Sequence, residues 1–284
     1  MEKIKMIVAM LIVGSIGIFV SNIPLPSSVI ALSRAMIGTI FLMMVLLIRK
    51  TKIKWDIVKN NWIYLLISGG ALGFNWIFLF EAYKYTSVAI ATLCYYMAPV
   101  FVILLSPIIL KEKLTMFKLG CTFTAIIGAV LISGVFGSAG QDLRGIGFGL
   151  IAALLYSGII IVNKFIKGLS GVETTFCQLA ISATIMIPYV IFTEDISFTY
   201  VSATTIILLL IVGIVHTGIV YIFFFSAINK LPAQTSAILS YIDPVTAILL
   251  SALFLKQPIG TVQIIGTVLI LGSAMLNNIK TKEA

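Results

Sequence analysis

Long uninterrupted apolar runs, broken by short polar or basic segments, are the dominant pattern of this chain. A hydrocarbon core about 30 Å thick requires roughly 20 apolar residues of helix, so runs of that length predict membrane-spanning helices. Ten are expected, over residues 4–20, 29–48, 62–80, 88–110, 117–135, 146–166, 174–192, 204–227, 233–255 and 262–277. The predicted fold class is therefore an all-α membrane protein. The first run follows Lys3 and Lys5 but ends in Ser21-Asn22-Ile23-Pro24, without the small-x-small pattern of a cleavage site. It is expected to be retained as a helix.

The runs also repeat. Cys94-Tyr95-Tyr96-Met97-Ala98-Pro99-Val100-Phe101 and Leu239-Ser240-Tyr241-Ile242-Asp243-Pro244-Val245-Thr246 each place a proline in the middle of an apolar stretch. The alignment they define extends without a gap: Gly73 meets Gly218, Trp76 meets Tyr221, Ala82 meets Ala227, and Tyr96 meets Tyr241. A one-residue slip then pairs Gly120 with Gly266. Two like segments, 1–138 and 139–284, of five spans each are expected. An odd number of spans turns the second copy upside down, which gives an inverted repeat with a central site between the copies.

Composition agrees with lipid as the main solvent. Mean hydropathy is +1.16, and charged residues make up 10% of the chain against about 25% in typical soluble domains. The net charge of +9 lies in short clusters between apolar runs, not on one basic face, which argues against nucleic-acid binding. Those clusters set orientation, because Lys and Arg resist translocation. With a cytoplasmic N-terminus, all of the 19 basic residues except Arg34, Lys84, Arg144 and Lys256 fall inside. An N-in, C-in topology follows. Cys94, Cys121 and Cys177 lie within apolar runs, without metal-ligand or disulfide spacing, and read as small buried residues. No metal or other cofactor is expected.

At these residues the chain resembles the drug/metabolite transporter superfamily, specifically its ten-span EamA-type members. The resemblance is carried by Ala82-Tyr83-Lys84-Tyr85-Thr86-Ser87-Val88-Ala89, Ala98-Pro99-Val100-Phe101, Leu110-Lys111-Glu112-Lys113-Leu114 and the stretch 120–128. It returns at Ala237-Ile238-Leu239-Ser240-Tyr241-Ile242-Asp243-Pro244-Val245. Two departures stand out: the acidic position after the fourth span is Glu112, but its second counterpart is Gln257, and the tryptophan often found in the first span is replaced near Gly14-Ser15. The resemblance implies a secondary carrier of the inner membrane that moves small metabolites, often amino acids or related compounds outward, without ATP hydrolysis.

A charged group within hydrocarbon costs at least about 2.5 kcal/mol on insertion scales, so ionisable residues inside spans are the first functional candidates. Asp243 lies beside Pro244, which removes a backbone donor and frees carbonyls. It reads either as a proton carrier or as a helix anchor bonded to a polar neighbour or to Arg34. Glu81 and Lys84 share a helix face and read as a gate at the outer mouth or as an interfacial ion pair. Arg34 is expected to serve as a counter-ion for Glu81 or Asp243 more readily than to orient a substrate carboxylate. His216 is the single histidine and reads as a proton-coupling group or, more commonly, as a neutral core group.

Aromatic and amide groups at corresponding depths form the expected substrate site: Asn75, Trp76, Tyr95, Tyr96, Tyr221, Ser240 and Tyr241, joined by Tyr156, Gln178 and His216. Such a lining offers apolar area and a few hydrogen bonds to a small organic solute. Plain packing is the alternative for each ring. Pro99 and Pro244 are expected to be paired hinges, with static kinks as the alternative. Gly69 and Gly73 form a GxxxG step that permits close helix approach.

Two other function classes compete with a carrier. A membrane-embedded enzyme finds no support, since HExxH, GxSxG and Walker A motifs are absent. A sensor or assembly subunit without flux leaves the duplicated polar seam unexplained.

Overall fold

In a computed structural model, the structure describes residues 1–51, 53–111, 115–132, 143–195, 201–228, 231, 239–240, 242–257 and 260–280, and among them there is no strand. Lipid offers no partner for backbone N–H and C=O groups, so apolar runs must satisfy them internally as helices. The helices are α1 (Glu2–Ser21), α2 (Ser27–Ile48), the short α3 (Trp55–Asn60), α4 (Trp62–Tyr85), α5 (Val88–Tyr95), α6 (Ala98–Ile109) and α7 (Met116–Ile132). They are followed by α8 (Leu143–Asn163), α9 (Gly171–Thr193), α10 (Ala203–Leu210), a π-helical stretch Ile211–Ile219, α11 (Val220–Ile228), α12 (Ile242–Phe254) and α13 (Thr261–Lys280).

Seven helical segments among the described residues are long and apolar enough to cross a membrane: Glu2–Ser21, Ser27–Ile48, Trp62–Tyr85, Val88–Ile109, Leu143–Asn163, Gly171–Thr193 and Ala203–Phe224. Leu119–Leu131, Ile242–Phe254 and Ile264–Ser273 are shorter apolar helices at the remaining expected positions. Large side chains such as Ile48, Ile108, Phe123, Phe192, Leu253 and Val268 point outward, as lipid contact requires.

Polar residues set the helix starts. Ser170 and Glu173 form a reciprocal capping box on α9, and Ser87 and Ser202 accept from the backbone N–H groups of Ile90 and Thr205. Lys50, Lys111 and Lys256 each follow a helix with φ of 53°, 56° and 52°, the left-handed conformation that ends a helix. Lys111 and Lys256 stand 145 residues apart, the offset of the aligned motifs, and share this conformation.

The expected run 88–110 is interrupted between α5 and α6 at Tyr96 and Met97. Pro99 then sits in the first turn of α6, where its missing N–H costs no intrahelical bond. Pro244 stands likewise in the first turn of α12. Pro99 thus starts a helix instead of kinking one in mid-course.

Helix α4 lies centrally, packed on α2, α8 and α9, while α1 packs on α11 and α12, and α8 also meets α5 and α6. Helix α2 packs on α9 and on the π-helical stretch, and α7 packs on α13. Glycines allow these approaches. A Cβ on Gly73 would stand 2.6 Å from Ser182 Oγ, and one on Gly69 would stand 2.9 Å from the Gln178 carbonyl, so the GxxxG step seats α4 on α9. The main core forms around α2, α4 and α9, with Leu42, Leu65, Phe80, Leu179 and Met186 nearly inaccessible.

Candidate functional site

The break between α5 and α6 exposes two tyrosines to the middle of the bundle from one turn. Tyr96 donates its phenolic hydrogen to Asp243 Oδ2 at 2.6 Å and lies 3.5 Å from the Ser240 carbonyl. The Asp243 carboxyl sits in the first turn of α12, where the positive end of the helix dipole favours negative charge. Tyr95 turns the other way and stacks on Tyr156 of α8 with ring centroids 5.2 Å apart. Its hydroxyl reaches Asn75 Oδ1 at 3.4 Å, while Asn75 Nδ2 donates to the Ala152 carbonyl. Asn75 thus ties α4 to α8 and holds Tyr95 in place.

Arg34, on α2, is buried, 7% exposed. Its guanidinium carbon lies 3.9 Å from the Trp76 ring centroid and 5.9 Å from that of Phe80, a cation-π arrangement on α4. Its Nε donates to Thr217 Oγ1 at 2.8 Å, and that hydroxyl donates in turn to the Val212 carbonyl at 3.1 Å. The expected counter-ion contact of Arg34 is not made: among the described residues the ion pairs are Lys5 with Glu2 and Lys84 with Glu81.

His216 belongs to the π-helical stretch, an element that apolar periodicity alone does not disclose. Side chains bond back along it: Thr217 reaches the Val212 carbonyl five residues earlier, and His216 Nδ1 lies 3.4 Å from that of Ile211. Ser15 Oγ lies 2.7 Å from the Ile12 carbonyl and 3.0 Å from His216 Nε2, and a neutral imidazole carries one N–H, so the ring donates either to Ser15 or to the Ile211 carbonyl. With the Phe19 ring edge-on at 4.8 Å, the histidine joins α1 to the π-helical stretch.

Gln178 stands apart from the tyrosines. It donates to Ser68 Oγ at 2.8 Å and Asn163 Oδ1 at 2.6 Å, near the end of the bundle where α4 begins and α8 ends. At that end Asn61 also clasps Lys167, donating to its carbonyl at 3.0 Å and accepting from its N–H at 3.1 Å. Tyr241 and Glu112 lie outside the described residues. Gln257, the counterpart of Glu112, accepts from the Val88 N–H at 3.1 Å and from Ser251 Oγ at 2.7 Å, and so caps the start of α5.

At the opposite end, where α2 begins and α4 and α9 finish, a cavity of about 720 Å³ is lined by Ser27, Ser28, Glu81, Lys84, Phe148 and Glu194, among others. Glu81 accepts from Lys84 at 3.0 Å and from Ser27 at 2.7 Å, and Glu194 accepts from Ser28. Two carboxylates thus sit at the N-terminus of α2, which favours them electrostatically. Sequence reasoning reached Glu81 and Lys84 but missed Glu194, Ser27, Ser28 and Thr217. Glu194 carries the same signal as Glu81, an acid at the end of an apolar run, while the serines gain significance only through the fold. A second cavity of about 500 Å³ between α7 and α13 is lined chiefly by apolar residues such as Met116, Val268 and Leu276, and lacks ionisable chemistry apart from Cys121.

The EamA-like transporter family matches residues 3–134 and again 143–279. The chain is 36% identical over 273 residues to the uncharacterized transporter YxxF of Bacillus subtilis strain 168, covering 92% of this chain and 86% of that protein. An uncharacterized transporter of Clostridium kluyveri is 28% identical over 240 residues, covering 81% of this chain and 76% of that protein. One crystal structure aligns with a TM-score of 0.65 and 20% identity over 99% of this chain and 98% of its own, a likeness of fold. Apolar helices throughout and these matches agree: the chain is a multi-pass membrane protein and belongs to the EamA-like transporter family, whose members are transporters and not enzymes.

Proposed function

We propose that this protein is a ten-span secondary carrier of the cell membrane that exports a small organic metabolite, an amino acid or related compound, by alternating access. Residues 1–138 and 139–284 form two inverted five-helix repeats, with both termini cytoplasmic. The packing supports this reading: α4 on α8 has its counterpart in α11 on α1, α1 on α12 in α8 on α6, and α4 on α9 in the π-helical stretch on α2. The double family match at 3–134 and 143–279 supports it as well.

The observation that carries the proposal is the Tyr96 to Asp243 hydrogen bond, made between the two proline-marked helix starts in the middle of the bundle. Moving one repeat against the other must remake this bond and uncover the tyrosines, Asn75 and Trp76 around it. Asp243 is the coupling group, releasing and taking a proton as access alternates. Glu81 and Lys84 close the extracytoplasmic mouth, and the helix starts at Pro99 and Pro244 are the hinges.

Purified protein in proteoliposomes tests this. Accumulation of a labelled amino acid or related metabolite against its gradient, driven by an imposed pH difference, is the expected result. Flux that ignores the pH difference removes proton coupling, and absence of flux for every solute of an amino acid, nucleoside, sugar and organic cation panel removes the carrier reading.

A further inference from the structure

A buried guanidinium carries one positive charge and five N–H donors, and it is stable in an apolar interior only when charge and donors are met. Arg34 spends one donor, Nε, on Thr217. Trp76 and Phe80 take the flat face of the group. Neither is an anion, and no carboxylate among the described residues pairs with it: Glu81 is engaged by Lys84 and Ser27, and Asp243 by Tyr96. The Arg34 nitrogens are not among the sealed side-chain atoms without a partner, which are Thr92 Oγ1 and Thr122 Oγ1. Among the described residues the two terminal nitrogens therefore have no hydrogen-bond partner, and they are not fully sealed.

From this geometry we propose that Arg34 is the seat of a carboxylate carried by the transported solute, with Trp76 and Thr217 holding the fork in position. The inference rests on the carrier reading and names the chemical class that its central seam selects. A planar monoanion matches both the charge and the two parallel donors of a guanidinium edge, whereas a dianion would leave surplus charge in an apolar site. Tyr95, Tyr156, Trp76 and Tyr221 supply the apolar surface against which the rest of the solute packs. Thr217 and Trp76 are positioning residues: the hydroxyl fixes Nε and the indole fixes the plane.

Trp76 is itself the reporter. Trp55 and Trp62 are each 60% exposed and Trp76 is 4% exposed, so Trp55→Phe with Trp62→Phe leaves a single buried indole stacked on Arg34. Its emission is to be titrated in neutral detergent, free of anionic lipid, with acetate and cyclohexanecarboxylate against acetamide and cyclohexanecarboxamide. The expected result is a saturable change for the carboxylates, at least about tenfold weaker for the matched amides, and lost in Arg34→Gln. Arg34→Lys, which keeps the charge and removes the fork, should weaken the response about tenfold. If Arg34→Gln does not fold, the acid and amide comparison decides on its own. Equal responses to acids and amides, no saturable response to either carboxylate, or an unchanged response in a folded Arg34→Gln protein each overturns the assignment. Saturable carboxylate binding without solute flux in proteoliposomes would end the carrier reading and keep the anion seat. Flux of neutral or cationic solutes without a carboxylate response would keep the carrier and end the seat.

Discussion

The Tyr96 phenol donates to the Asp243 carboxyl at 2.6 Å, joining the two copies of one sequence motif at residues that are not each other's counterparts. Tyr96 corresponds to Tyr241, while Asp243 faces Ala98 in the alignment, so the duplication has diverged just where the copies touch. A charge on one copy is received by a hydroxyl on the other. In the proposed carrier, their contact is where relative motion of the copies and the state of the carboxyl are coupled.

Asp243→Asn keeps the size and an acceptor for Tyr96 but removes the ionisable proton. Flux in proteoliposomes should lose its dependence on pH while the unfolding temperature stays within about 5 °C of wild type. Tyr96→Phe leaves the carboxyl without this donor and should alter the pH profile without abolishing it. An Asn variant that fails to fold would assign Asp243 to anchoring alone.

How far the seam was legible in the sequence depends on the residue. Long apolar runs, the duplicated proline motif and the polar residues that interrupt the runs lead to the helices and to Asn75, Trp76, Tyr95, Tyr96 and Asp243, because lipid penalises every polar insertion. Pairings are another matter. Arg34 finds Trp76 and Thr217 instead of an acid, Gln178 joins Ser68 and Asn163 far from the tyrosines along the bundle, and His216 bonds Ser15 from a π-helical stretch. Each turns on the rotation of one helix about its axis. Hydrophobic periodicity carries little of that information when every face of a helix is apolar.

Glycine spacing gives a second prediction. A Cβ on Gly14 would stand 2.5 Å from the Asp243 carbonyl oxygen and 2.6 Å from Thr246 Cβ, both in the crossing of α1 and α12. The backbone cannot swing aside as a side-chain tip can, so Gly14→Ala should destabilise by about 1–3 kcal/mol. Gly120 and Gly272 have nothing within 4 Å of the added Cβ, and alanine there should be neutral or stabilising by up to about 1 kcal/mol through helix propensity. Unfolding temperatures of the three variants in one detergent check the order, and equal effects would contradict the close crossing.

Trp76 separates packing from function only if the substitution is chosen by volume. The indole is 4% exposed and supports Arg34, so Trp76→Ala opens a cavity and should cost about 3–5 kcal/mol. Trp76→Phe keeps an aromatic face under the guanidinium with a weaker cation-π contact. It should fold normally and lower solute affinity severalfold at unchanged maximal flux, as read from the concentration dependence of uptake. An unchanged affinity would place the solute elsewhere than on this ring.

The mouth of the bundle can be tested through hydroxyls that carry no charge. Ser27 and Ser28 bind Glu81 and Glu194, so one turn at the start of α2 holds the ends of both α4 and α9. Lys84 also meets Glu81, but its side chain is 46% exposed, and solvent screening limits that pair to about 1 kcal/mol or less. Lys84→Ala should therefore leave stability nearly unchanged, and the part of the pair in closing the mouth should show as altered flux alone. Ser27→Ala with Ser28→Ala removes both internal donors and leaves two carboxylates close together around one helix end. Their mutual repulsion should part the helix ends, seen as faster amide hydrogen exchange over residues 27–31 with little change over 65–75 in the centre of α4. Equal protection in the double variant would mean that the α2 start is held by its apolar packing, and the gate would then have to be sought among Ile77, Phe78 and Phe148, which line the same cavity.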